Sequence, residues 1–192
     1  VGRVLLLRAA NASAGPPRPF PLADPRMAST PAARSTLKYL VNCALDDQTV
    51  LTSVHEGVAY DFPGGMGLAP DWHARPMTAQ EQRWVSACML ARTNLFGATV
   101  EISMRSPFST PIPALQVSSL ASEKFTLHEG TFFGNLFADT PVSYVCSPVH
   151  GYATRKIIAP QPHMVALRNS ASKDSHLLRT RDASGIGSYL GG

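Results

Sequence analysis

The chain has only three cysteines in 192 residues and no run of 18 apolar residues. Three cysteines allow one internal disulfide and leave one thiol over. Without a long apolar run, no membrane-spanning helix is expected. G-x-S-x-G, H-E-x-x-H, C-x-x-C and Walker sequences are all absent, so no motif calls for a metal, a nucleotide or any other cofactor. No stretch concentrates Lys and Arg or alternates them with aromatics, which argues against a nucleic-acid partner.

The charge that is present is unevenly distributed. Residues 1–36 carry five arginines against Asp24, a net +4. Residues 37–146 carry six basic against ten acidic groups, a net −4, and residues 147–192 carry six against two, again +4. The acidic middle also holds Cys43, Cys88 and Cys146, both tryptophans (Trp72 and Trp84) and the clearest apolar periodicity. We therefore expect one small domain at 37–146, between a Pro-rich N-terminal segment (1–36) and a weakly structured basic tail (147–192). The N-terminus has Arg3, a four-residue apolar run Val4–Leu7 and Ala12-Ser13-Ala14, resembling the end of a signal peptide whose apolar region is too short. Six prolines between Pro16 and Pro31 predict an extended linker over 15–31.

Within the middle, Leu37, Leu40, Val41, Ala44 and Leu45 fall on one helical face, with Ser35 or Thr36 as cap and Asp46-Asp47 as stop. Val50, Thr52 and Val54, then Val58, Tyr60 and Phe62, alternate as two strands about His55-Glu56-Gly57, a predicted hairpin. A Gly/Pro-rich loop pinned by Trp72 follows. Thr78-Ala79-Gln80-Glu81 reads as a capping box opening a helix with Trp84, Val85, Cys88, Met89, Leu95 and Phe96 as its stripe and Gly97 as its stop. Residues 98–105 alternate as a half-buried strand. Lys124–Leu127 and Thr131–Phe137 predict a second strand pair about His128-Glu129-Gly130. The expected fold class is α+β: a small single domain with two helices and short antiparallel strands, flanked by irregular ends.

The segments LKYLVNCAL (37–45), FPGGMGLAPDW (62–72), EQRWVSACMLARTNLFG (81–97), VEISMR (100–105) and EGTFFGNLF (129–137), closing on Tyr144-Val145-Cys146, carry a resemblance. They resemble a group of exported proteins of large-genome bacteria whose function is not established. The resemblance implies an export route, hence a secreted or periplasmic location, and says nothing about chemistry. It also implies a cysteine-containing section after Cys146, where this chain has none; a truncation or a shifted frame over 147–192 is the reading that follows.

The candidate chemistry is sparse. In an exported protein Cys43 and Cys88 would pair and tie the two helices together; in a reducing compartment all three thiols would be buried and free. Gln82, six residues before Cys88, has the spacing of a papain-like oxyanion donor and nucleophile, but the flanking glycines are missing and Cys88 lies deep in its helix. Ser170-Ala171-Ser172-Lys173 matches a Ser–Lys pattern in an unpatterned tail. Glu101 reads as a solvated strand residue and Asn135 as a turn residue.

The tripeptide His-Glu-Gly occurs twice, at 55–57 and 128–130, each time before an aromatic strand. Side-by-side hairpins would bring His55, Glu56, His128 and Glu129 together as a group able to bind a metal or to run acid–base chemistry. One reading is thus a small exported hydrolase acting on an ester or glycosidic bond of a small or polymeric substrate, with Phe62–Trp72 lining its cleft. The other is a non-catalytic exported binding or cell-envelope protein.

Overall fold

The computed structural model describes residues 25–92, 101–106, 112–116, 124–146, 154–156 and 177–181. They form an α+β fold: helix α1 (Pro31–Ala44), strands β1 (Val50–His55) and β2 (Val58–Pro63), helix α2 (Ala79–Ala91), then strands β3 (Ile102–Arg105), β4 (Leu127–Asn135), β5 (Val142–Cys146), β6 (Thr154–Lys156) and β7 (Leu177–Arg181). β1 and β2 make a two-stranded sheet. The other five make an antiparallel sheet in the order β3-β7-β4-β5-β6.

Regular structure is present at 25–31, where the proline content predicts an extended linker. Pro25–Ala28 is a 3-10 turn with Met27 and Ala28 buried. α1 then begins at Pro31, not near Leu37. Its cap is Thr30, whose Oγ1 accepts the Ala33 N–H at 3.1 Å. Pro31 occupies the first helical position, where a missing N–H costs nothing and the fixed φ already suits a helix. The linker expectation therefore fails over 25–31 because proline there starts structure instead of preventing it.

The far end of α1 explains the glycine-rich loop. A helix leaves its last carbonyls without partners. Here the Asn42 carbonyl accepts from Met66 N, Cys43 from Leu68 N, Ala44 from Ala69 N, and Leu45 from both Gly65 N and Gly67 N, at 2.8–3.2 Å. Asn42 reinforces this through its side chain, donating to the Gly64 carbonyl at 2.9 Å. The fit leaves no room for a side chain: a Cβ on Gly64 would lie 1.9 Å from the Asp46 carbonyl oxygen. Proline and glycine at 63–65 thus serve a backbone clamp on the helix terminus.

α2 has the predicted capping box, with Thr78 Oγ1 accepting from Glu81 N and Glu81 Oε2 accepting from Thr78 N at 2.7 Å. The helix ends at Ala91 with Arg92 as its cap. Leu95, Phe96, Gly97 and the first residues of the 98–105 strand lie outside the described residues. Trp84 to Ala91 are all buried, a helix apolar on every side because it has neighbours on every side. α1 packs on it from one direction and β4, β5 and β7 from the other, while α1 in turn packs on β2. The two helices therefore form a layer between the hairpin and the five-stranded sheet.

Cys43 on α1 and Cys88 on α2 form a disulfide in the centre of that layer, both fully buried. By chain entropy, cross-linking across 45 residues contributes about 4 kcal/mol. The basic tail also enters the fold. β7 lies between β3 and β4, with Leu177 fully buried, although the sequence pattern ends at Cys146. Residues 1–24 and the Ser170–Lys173 match lie outside the described residues.

Candidate functional site

The two His-Glu-Gly tripeptides have different structures. At 55–57 the hairpin turn consists of Glu56 and Gly57 alone, with φ of 52° and 77°. Positive φ at both central positions is the two-residue turn that matches strand twist, and glycine suits it while glutamate is strained there. His55 is not in the turn: it ends β1 and pairs with Val58. Its Nε2 lies 3.9 Å from Glu56 Oε1, an ion pair when the imidazole is protonated, with the carboxylate largely in solvent.

At 128–130 the expected turn does not form. His128, Glu129 and Gly130 lie inside the continuous strand β4, and the register with β7 slips between His128 and Gly130. Glu129 is the extra residue of that bulge and is half-buried. Position 130 lacks hairpin geometry because residues 127–130 pair with β7, far away in sequence, and β4 runs on to Asn135 before the chain turns back into β5. His55 and Glu56 thus stand at the tip of one sheet, and His128 and Glu129 sit in another, with the helical layer between the sheets.

The other polar candidates have structural partners. Cys88 is in the disulfide and has no thiol to offer as a nucleophile. Gln82 accepts from Asn135 Nδ2 at 3.0 Å and donates to the Met77 carbonyl, joining α2 to the end of β4. Asn135 Oδ1 accepts from Phe137 N, an Asx-type turn. Buried Ser86 donates to the Gln82 carbonyl at 2.6 Å and accepts from Leu136 N at 2.9 Å. Glu101 pairs with Lys124 in solvent. Arg75 holds Glu81 in a two-pronged ion pair, both N–O distances 2.7 Å, and reaches Asp71. Partial burial pushes the Glu81 carboxyl up, but the hydrogen bonds from Arg75 and Thr78 outweigh it and the net shift is downward.

Arg92 caps α2 and donates to Asn42 Oδ1 near the end of α1. Burial lowers its pKa, with Tyr39 acting in the opposite sense. A guanidinium between two helix C-termini is favoured by both dipoles, which gives this half-buried cation a structural role. Among the described residues no group of three or more His, Cys, Asp or Glu is placed to hold a metal ion.

The loop expected to line a cleft is turned inward: Phe62 and Trp72 are both buried in the core. The exposed apolar groups are elsewhere. Among the described residues the large hydrophobic side chains most open to solvent are Tyr39, Val50, Val54 and Val58. Three of them are on the hairpin. β1 has inverted polarity: Leu51 and Ser53 face the core at 0% and 1% exposure, while Val50 and Val54 are each 54% exposed. Val50 and Val54 share the outer face with Ala59, Pro63 and the hydrogen-bonded pair Thr52–Asp61. From Asp46 to Pro63 the chain carries Asp46, Asp47, Glu56 and Asp61 and no Lys or Arg. The sequence signal for this surface was present in the alternation of β1, but period two identifies two faces without saying which one is buried.

Comparison of the chain with protein-family models, with curated proteins and with solved structures finds no match.

Proposed function

We propose that the protein is a non-catalytic exported binding or cell-envelope protein that contacts its partner through the outer face and tip of the β1–β2 hairpin. The observation that carries this is the inverted strand: valines point to water while a serine is buried. A folded protein gives up apolar burial in this way where another surface covers it. The charge of the same segment indicates the partner's chemistry. Four acidic groups without a basic one favour an aliphatic surface that carries Lys or Arg, since opposite potentials steer and orient association. The buried disulfide is compatible with an oxidising compartment outside the cytoplasm.

The test is titration calorimetry of the whole chain with two probe peptides, one alternating Lys and Val and one alternating Glu and Val. The Lys–Val peptide is expected to bind, more weakly as salt is added, and the Glu–Val peptide is not. Replacing Val50, Val54 and Val58 together by serine is expected to weaken binding by about tenfold or more, from lost apolar contact alone. Equal binding of both peptides, or affinity unchanged in the triple variant, counts against the reading.

A hydrolase remains the second reading, favoured by one observation: the imidazole and carboxylate of His55 and Glu56, 3.9 Å apart at an accessible tip. A panel of chromogenic esters and glycosides, assayed with His55→Ala and His128→Ala, tests it. Turnover abolished by either substitution supports catalysis; turnover unaffected by both, or absent, removes it.

A further inference from the structure

We propose that Met66 is an oxidation site that controls access to the Cys43–Cys88 disulfide. Both cysteines are fully buried, so a reagent reaches them only where their cover opens. Met66 Sδ lies 3.6 Å from Cys88 Sγ. Since Cys88 is disulfide-bonded and carries no thiol proton, this is a contact between two soft sulfurs and not a hydrogen bond. Met66 is only partly buried, whereas Met27, Met77 and Met89 are 3%, 4% and 8% exposed. Among the described residues Met66 combines a contact with the disulfide and partial exposure to solvent.

The loop around Met66 transmits a change there to the helix end. Its N–H donates to the Asn42 carbonyl at 2.9 Å, the residue next to Cys43. Gly65 and Gly67 on either side both donate to the Leu45 carbonyl. Hydrogen peroxide transfers one oxygen to the thioether, giving methionine sulfoxide and water; the sulfur is oxidised and the peroxide reduced. The new S=O is a strong acceptor set against the disulfide and the apolar core, where it has to find a donor or leave. Departure of the side chain takes the Gly65–Gly67 backbone with it and uncovers Cys88 Sγ.

The experiment treats the disulfide-bonded chain with hydrogen peroxide, maps sulfoxides by peptide mass spectrometry, and follows reduction by dithiothreitol through alkylation of Cys43 and Cys88. Met66 is expected to oxidise before Met27, Met77 and Met89. The oxidised protein is then expected to be reduced roughly tenfold faster, the effect of one poorly satisfied polar group on the closed state. Met66→Leu keeps an apolar cover of similar volume without an oxidisable sulfur, and its reduction rate is expected to ignore peroxide. The proposal is overturned if Met66 oxidises no sooner than Met89. It is equally overturned if complete oxidation of Met66 leaves the reduction rate unchanged, or if peroxide accelerates Met66→Leu as much as the native protein.

Discussion

The helix–hairpin half of the molecule and the five-stranded sheet are held together in different ways. From Pro25 to Arg92 the decisive contacts join neighbours in sequence or a single clamp: a two-residue turn, two capped helices, the loop 64–69 on the end of α1, and one disulfide. In the sheet, β7 at 177–181 is inserted between β3 at 102–105 and β4 at 127–135. Every strand pair made by β7 therefore closes a long loop before any contact rewards it. The comparison teaches that covalent and local constraints are concentrated in the half that carries the exposed hairpin. From that half projects a hairpin whose outer face carries Val50 and Val54 beside the Thr52–Asp61 pair, with Glu56 at its tip.

Four perturbations bear on this difference, in falling order of effect. Replacing Cys43 and Cys88 by alanine removes about 4 kcal/mol of chain-entropy stabilisation and leaves a small void between the helices. Denaturant unfolding should show this as a large fall in midpoint. Hydrogen exchange in the variant should speed up first in α1 and the 64–69 loop. Leu177→Ala removes a fully buried side chain from β7, the last strand among the described residues, at about 2–5 kcal/mol. Its effect should appear first in the exchange of β4 and β3 amides and leave the hairpin amides unchanged. If Leu177→Ala loosens the hairpin as much as the sheet, the two halves are one cooperative unit and the distinction disappears.

The smallest effect concerns the start of α2. Thr78→Ala removes a capping hydroxyl at about 1 kcal/mol. Glu81 adds a pH dependence of definite sign. Its folded-state pKa is below its unfolded value, so the stabilisation is complete above the unfolded pKa and is lost as pH falls through the folded one. Thermal melts from neutral pH into the acid range should show a loss that Glu81→Gln abolishes, with Glu81→Gln less stable at neutral pH.

Parts of this fold were legible because their causes are local. Thr78 and Glu81 satisfy orphan N–H groups three residues apart, and Gly57 supplies a positive φ beside its own strand. The Cys43–Cys88 pair was one of two expectations, tied to export, and the packing of α1 on α2 brings the two sulfurs together. Other parts depend on chain that arrives later. His128-Glu129-Gly130 has the same letters as the hairpin tripeptide, but it pairs with β7 from far along the chain and becomes a bulged strand. Leu177–Arg181 has too few residues to show a period, and only the slot between β3 and β4 makes it a strand. The proline at 31 was misread because proline breaks a helix interior and favours a helix start, and the distinction lies in where Thr30 caps. The candidate surface was half legible: alternation in β1 separated Val50 and Val54 from Leu51 and Ser53, and packing of α1 against β2 determined which pair met solvent.

The central functional claim is that the outer face and tip of the hairpin form the contact surface, and hydrogen exchange of the full chain with and without the Lys–Val peptide tests it most directly. The account predicts slowed exchange confined to amides between Val50 and Pro63, with β4 and α2 unchanged. Protection that appears on the five-stranded sheet and spares the hairpin would contradict it.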